Sequence, residues 1–192
     1  MTLSGLLVLF LMYVLVPLWL AAGLADWLCH RAAEIEKTSG VKESALHLLQ
    51  FGLVGTPLLA TLIFQVNAVV LLMLITGLVL HQAVAVWDVR YANVTRRVSP
   101  VEQHLHGVLE STPAVATAVV IILHWQEFRG LLGRVPASFA LELKYEPLPD
   151  WYLAIILTAT AIAGALPLAE EMVRCLRARV RAAQDKGARF TD

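Results

Sequence analysis

The stretch DWLCHRAAEIEKTSGVKESALH, residues 26–47, brings Asp26, His30, Glu34, Glu43 and His47 close together in the chain. Asp26 and His30 are four apart, as are Glu43 and His47. Residues four apart on a helix share a face, about 40° from one another. The same acid-x-x-x-His unit returns at Glu102 and His106, and Glu110 continues that stripe. His81 and Asp88, seven apart, also share a face. Four helical faces would thus pair imidazole with carboxylate. Neutral imidazole and carboxylate without cysteine suit iron, manganese or zinc. A single zinc takes about three or four protein ligands. Four histidines with four or more carboxylates exceed that number and fit two metal ions bridged by carboxylates. The candidate ligands are Asp26, His30, Glu43, His47, His81, Asp88, Glu102 and His106. Further ligands, or groups that would hold the ligands by hydrogen bonds, are Glu34, Gln50, Gln82, Gln103, His104, Glu110 and Glu170. Glu171 stands at the same point of the chain as Glu170. No HExxH sequence is present, and no residue is assigned a catalytic role.

The elements that would carry these residues are long and apolar. The 192-residue chain is 58% hydrophobic and only 16% charged, with a mean hydropathy of +0.69. Residues 1–25, 44–87, 111–126 and 151–169 carry no formal charge. Runs of about 18 or more such residues read as membrane-spanning helices. Five spans are expected, at roughly 4–26, 45–64, 68–88, 103–125 and 151–170, in a single transmembrane domain over residues 1–173. A cleaved signal peptide needs a basic start, which MTLSG lacks.

Charge sets the expected orientation. Arg31, Lys37, Lys42, Arg90, Arg96, Arg97, Arg174, Arg177, Arg179, Arg181, Lys186 and Arg189 fall on one side of the five spans, and only Arg129, Arg134 and Lys144 on the other. The positive-inside rule places the first side in the cytoplasm, so the N-terminus is outside and the C-terminus inside, in a plasma (bacterial inner) membrane. Cys29 and Cys175 then face a reducing compartment, and no disulfide is expected. The outward loop 127–150 reads as a cap on the membrane face. The tail 174–192 reads as a basic cytoplasmic helix that signals topology and binds anionic lipid.

On this topology every stripe falls in one layer, about two to three turns thick, at the cytoplasmic end. The expected fold is all-α, with spans 1–4 as an antiparallel bundle around a dinuclear metal site at that end. Ser99–Glu102 is a capping box with Pro100 at the first helical position, which explains Glu102 without a ligand. Asp26, Glu34, Asp88 and Glu170 lie near helix C-termini, where a negative charge is disfavoured. A polar network closed by Arg31 or Arg90 could satisfy one or two of these groups, whereas bound cations could satisfy all of them.

The stripes resemble those of di-iron carboxylate four-helix bundles, in a membrane-embedded form, and also the histidine-rich membrane di-iron oxidases that act on lipids. The soluble bundles use Glu-x-x-His, whereas the spacing here is x3, and the HxxxH and HxxHH boxes of lipid desaturases are absent. DWLCHR, WDVRYA and PVEQHLH resemble segments of small bacterial integral membrane proteins. The first resemblance implies an oxidoreductase with two metal ions, iron before manganese or zinc, using oxygen or peroxide on a lipid-like or quinone-like substrate. Its partners would be the lipid bilayer and an electron donor, with no nucleic acid. A membrane zinc hydrolase is the alternative, and a metal transporter or sensor a further one.

Overall fold

A computed structural model describes the backbone of residues 1–188 and the side chains of residues 1–185. Lys186 and Arg189 of the basic tail lie outside the side chains described. The described chain is helical, with one isolated antiparallel bridge between Phe64 and Leu143. The helices are α1 (Leu3–Ala32), α2 (Val41–Ile63), α3 (Ala68–Thr95), α4 (Pro100–Leu123), the short α5 (Trp125–Leu131) and α6. Helix α6 begins as Asp150–Thr160 and continues through Ala161–Ala165 into Leu166–Ala188. All but α5 are long and apolar enough to cross a membrane.

Each long helix extends beyond its apolar run at the end that carries the acids and histidines. Helix α1 reaches Ala32 rather than residue 26, and α3 reaches Thr95 rather than residue 88. The acids and histidines there do not end the helix: Asp26, His30 and Asp88 are buried, while Arg31, Arg90 and Asn93 are exposed. Starts and stops follow local chemistry. The Ser99 hydroxyl accepts from the Glu102 N–H at 3.2 Å while Glu102 reaches back to the Ser99 N–H. The Asn67 side chain accepts from the Val70 N–H. Between α1 and α2, Glu34 adopts a left-handed conformation with φ of 49°, and Ile35 plugs the turn, fully buried.

Two helices contain a π turn, Leu11–Leu15 in α1 and Ala161–Ala165 in α6. Each sits just before a proline, Pro17 and Pro167. A proline has no N–H for the carbonyl four residues earlier, and its ring crowds that carbonyl. Those positions are Tyr13 and Ala163, inside the two π turns, so the wider turn relieves the conflict.

Helix α2 packs along α3, α1 along α4, and α6 against α2 and α1. The loop after α5 is pinned across the α2–α3 turn: the Gln65 N–H donates to Glu142 O at 2.8 Å, the Lys144 N–H to Ile63 O, and the Asn67 amide to Ala140 O. Buried polar groups share the interior with apolar core residues such as Leu20, Val70 and Leu71, and large apolar side chains stand on the surface. Asp26, His30, Glu43, His47, His81, Asp88, Glu102 and Glu171 are buried, while Val79, Ile122 and Leu166 are exposed.

Candidate metal centre

The buried acids and histidines meet where α1, α2, α3, α4 and α6 converge, roofed by Arg96 in the α3–α4 connection. Glu171 of α6 lies at the base, fully buried. Its two carboxylate oxygens each accept from an imidazole Nδ1, His30 at 2.9 Å and His47 at 2.9 Å. A carboxylate only accepts, so both Nδ1 atoms carry the hydrogen. The two Nε2 atoms therefore face the other way. His30 Nε2 lies 3.4 Å from Asp26 and 3.4 Å from Glu102. His47 Nε2 lies 3.2 Å from Asp88 and 3.9 Å from Glu43. His106 Nε2 lies 3.3 Å from the second oxygen of Asp26.

Among the described residues, several of these buried atoms have no hydrogen bond: Nε2 of His30 and His47, and Oδ1 of Asp26 and Asp88. In the neutral tautomers they are lone pairs facing lone pairs. Such buried groups need a cation or a proton between them. A proton on each Nε2 would meet the same need as a cation; the imidazoles of His30 and His47 stack with centroids 4.4 Å apart.

Arg96 is the cation the cluster supplies for itself. Its guanidinium forks across Glu43 and Glu102, with Nε 3.1 Å from Glu43 Oε2 and Nη1 3.0 Å from Glu102 Oε2. Burial works against the charge, but the hydrogen bonds to Glu102 and Glu43 outweigh it and raise the guanidinium pKa above its usual value. Gln50 donates to Asp88 at 3.1 Å and steadies the far carboxylate.

Charge can be counted at this site. Asp26, Glu43, Asp88, Glu102 and Glu171 are five buried carboxylates with Arg96 as their guanidinium. With neutral histidines the balance is four negative charges, the amount two divalent cations would cancel. The neighbouring acids are matched separately, Glu170 by Arg31 and Arg174, and Glu36 by Arg174. Two groups of ligand atoms are close enough to hold an ion, each within 4.8 Å of one another: Asp26, His30, Glu102 and His106, and His30, Glu43 and His47. These residues could hold a metal ion.

The remaining sequence candidates lie at varied distances from this cluster. His81 is buried in the wall of the adjoining cavity, its Nδ1 without a hydrogen bond, and belongs to neither group. Gln82 donates to the Glu110 carbonyl at 2.9 Å, and Glu110 is half-buried. Glu34 is exposed and pairs with Lys37. Gln103 and His104 are exposed, the latter bonded through its ring to Pro100 O. Glu170 is at the rim, where it accepts from the Trp27 indole at 3.0 Å. Both cysteines are free.

Two central residues fell outside the ligand set drawn from the sequence. Glu171 rather than its neighbour Glu170 enters the cluster because it continues the inward face of Gly164, Pro167 and Cys175, all buried. That spacing is a readable signal. Arg96 lies outside any helix and reads in the sequence only as one of a basic pair.

A cavity of about 90 Å³ opens directly beside the cluster. Its lining includes the polar Asp26, His30, His47, His81, Asp88 and His106 and the apolar Trp19, Leu20, Phe51 and Leu109. No protein-family model, curated protein or solved structure matches the chain.

Proposed function

We propose that the protein is an integral membrane oxidoreductase with a dinuclear metal centre, iron before manganese or zinc, that acts with oxygen or peroxide on a lipid-like or quinone-like substrate. The observation that carries this reading is the set of unpartnered lone pairs on His30, His47, Asp26 and Asp88, which converge beside a cavity with apolar walls. The charge count supports two ions. A buried site with four uncompensated negative charges would be costly among apolar helices, and two divalent cations bring it to neutrality.

In this reading His30 and His106 would hold one ion with Asp26 and Glu102, and His47 and Glu43 the other, with Asp88 beside them. Glu171 fixes the tautomer of both stacked rings and so aims their Nε2 atoms. Arg96 positions Glu43 and Glu102 by forking across both, leaving their remaining lone pairs to an ion. A bound di-iron pair would supply redox chemistry toward oxygen or peroxide. The carboxylate-rich donor set favours iron over zinc. Gly23, Leu109 and Leu168 also line the cavity and would keep water from an apolar substrate.

The five long helices would span the membrane, helices α1 to α4 as an antiparallel bundle, with the centre at the cytoplasmic end. The basic residues Arg31, Lys42, Arg90 and Arg97 at that end support this orientation.

The test is to purify the protein in mild detergent without added metal, measure metal identity and stoichiometry, and record Mössbauer spectra on an iron-57 sample. Two irons per chain with coupled-pair signals is the expected result. A single zinc per chain would instead indicate a membrane zinc hydrolase. The dinuclear reading is overturned if no metal is retained and the double substitution His47→Ala, His106→Ala leaves stability unchanged.

A further inference from the structure

Two side chains that line the cavity beside the cluster carry polar atoms that the cluster leaves unused, His81 and Trp19. His81 is 3% exposed and Trp19 8%. Among the described residues, neither His81 Nδ1 nor the Trp19 indole N–H makes a hydrogen bond. Trp27 and Gln50, in the same lining, are satisfied, since they donate to Glu170 and Asp88. A buried polar atom without a partner is costly. Trp19 precedes Asp26 by seven residues on α1, and His81 precedes Asp88 by seven on α3. Seven residues make nearly two turns. Each therefore shares a helical face with a cluster carboxylate and stands about 10 Å from it along the axis.

We propose that this cavity binds a single-ring para-quinone or the matching hydroquinone, with one oxygen held by His81 and Trp19 and the other turned to the cluster. This deepens the proposed function by choosing the quinone-like over the lipid-like substrate, and rests on it for the role of the cluster. Trp19 also borders a smaller apolar cavity, whereas His81 lines this one and not the other, so the assignment stands first on His81. An indole N–H only donates, so its partner must be an acceptor. An imidazole Nδ1 donates or accepts according to its tautomer. One oxygen between the two is therefore satisfied in either form of the ligand. A carbonyl accepts from both side chains, and a hydroxyl accepts from Trp19 while donating to His81. An alkyl chain in the same place would leave both polar atoms without partners. Size points the same way. An apolar cavity of about 150 Å³ holds one benzene, so a cavity of about 90 Å³ takes one ring at most and excludes fused rings.

The test uses the full chain in nanodiscs and follows duroquinone binding by equilibrium dialysis, with durene, the same ring without its oxygens, as control. The fully substituted ring of duroquinone does not alkylate the free Cys29 and Cys175. Partition into lipid rises linearly with probe and is subtracted with empty nanodiscs, whereas a bound ring saturates. The expected result is saturable duroquinone at one per chain and no saturable durene. His81→Leu and Trp19→Phe should each weaken binding about 3–10-fold, the worth of one neutral hydrogen bond. His81→Gln, which keeps a donor and an acceptor, should recover part of the loss. Absence of saturable duroquinone in the unsubstituted protein overturns the proposal, as does durene bound equally tightly or an unchanged affinity in His81→Leu. Metal content is measured on the same samples. His81 belongs to neither group of ligand atoms, so His81→Leu should keep the parent's metal; its loss would make His81 a metal ligand and overturn its role here. Metal without saturable duroquinone removes this inference alone. Saturable binding that depends on His81, without metal, removes the dinuclear reading while leaving the ring site.

Discussion

The imidazole rings of His30 and His47 lie face to face, 8° from parallel, although they come from different helices and from positions seventeen apart. Glu171 makes this possible by accepting one Nδ1 hydrogen from each ring. Replacing it with glutamine keeps the shape and changes the hydrogen-bond code. The glutamine amide can accept from one ring but must donate to the other, forcing that ring's hydrogen onto Nε2. Glu171→Gln is therefore expected to retain the fold and weaken metal retention by about 10–100-fold, the range for partners of metal-ligating histidines. Competition against a chelator of known affinity measures it; an unchanged affinity would remove Glu171 from the site.

Arg96 serves stability more than affinity. Glu43 and Glu102 are buried almost completely, and the guanidinium touches both. Removing one partner of a buried ion pair costs about 3–5 kcal/mol, because the other charge is left uncompensated. Arg96→Gln is expected to lower the detergent-solubilised protein's stability by that order. Arg96→Lys should recover only part, since an ammonium cannot fork across two carboxylates. The neighbouring Arg97 is exposed, and Arg97→Gln should stay within about 0.5 kcal/mol of the parent in thermal unfolding.

Spacing alone chose many of the residues that meet in the cluster, and the reason is physical. Acids and histidines four apart share a helical face wherever the helix is continuous, as at Asp26 and His30, Glu43 and His47, and Glu102 and His106. The same rule extended to Glu34 assumes that α1 continues, but α1 ends at Ala32 and Glu34 turns left-handed into solvent. Apolar runs located all five long helices and misjudged their polar ends, because hydropathy cannot tell a buried acid from a solvated one. Arg96 was illegible for another reason: its contacts with Glu43 join residues 53 apart through tertiary packing.

The residues left outside the cluster give a contrast that the metal reading must pass. Glu34→Gln and His104→Gln remove groups that are exposed in the structure. Both variants should hold the same metal per chain as the parent, while Asp26→Asn and His47→Gln should lose most of it. Elemental analysis of the four purified variants decides between them. Equal loss across all four would mean that metal retention reports general integrity and not this cluster.

Gly77 ties the site's geometry to a helix contact well away from it. Pro57 gives no N–H to the Leu53 carbonyl, and that oxygen turns toward α3 at Gly77, where a Cβ would stand 2.5 Å from it and 2.7 Å from the Pro57 ring. Only glycine admits this approach, since any Cβ would meet the Leu53 carbonyl and the Pro57 ring. The contact fixes α2 against α3, and so sets His47 and Gln50 opposite Asp88. Gly77→Ala must push the two helices apart or slide them, at a cost of about 1–3 kcal/mol for overpacking. The displacement should also carry to the cluster, lengthening the Gln50–Asp88 and His47–Asp88 contacts and reducing metal retention. Gly52→Ala and Gly55→Ala in α2 meet nothing within 4 Å. They should keep metal and hold or gain stability, by up to about 1 kcal/mol from helix propensity. Thermal unfolding and metal content on the three variants check the coupling. If Gly77→Ala loses stability but keeps its full metal complement, the α2–α3 contact does not set the geometry of the site.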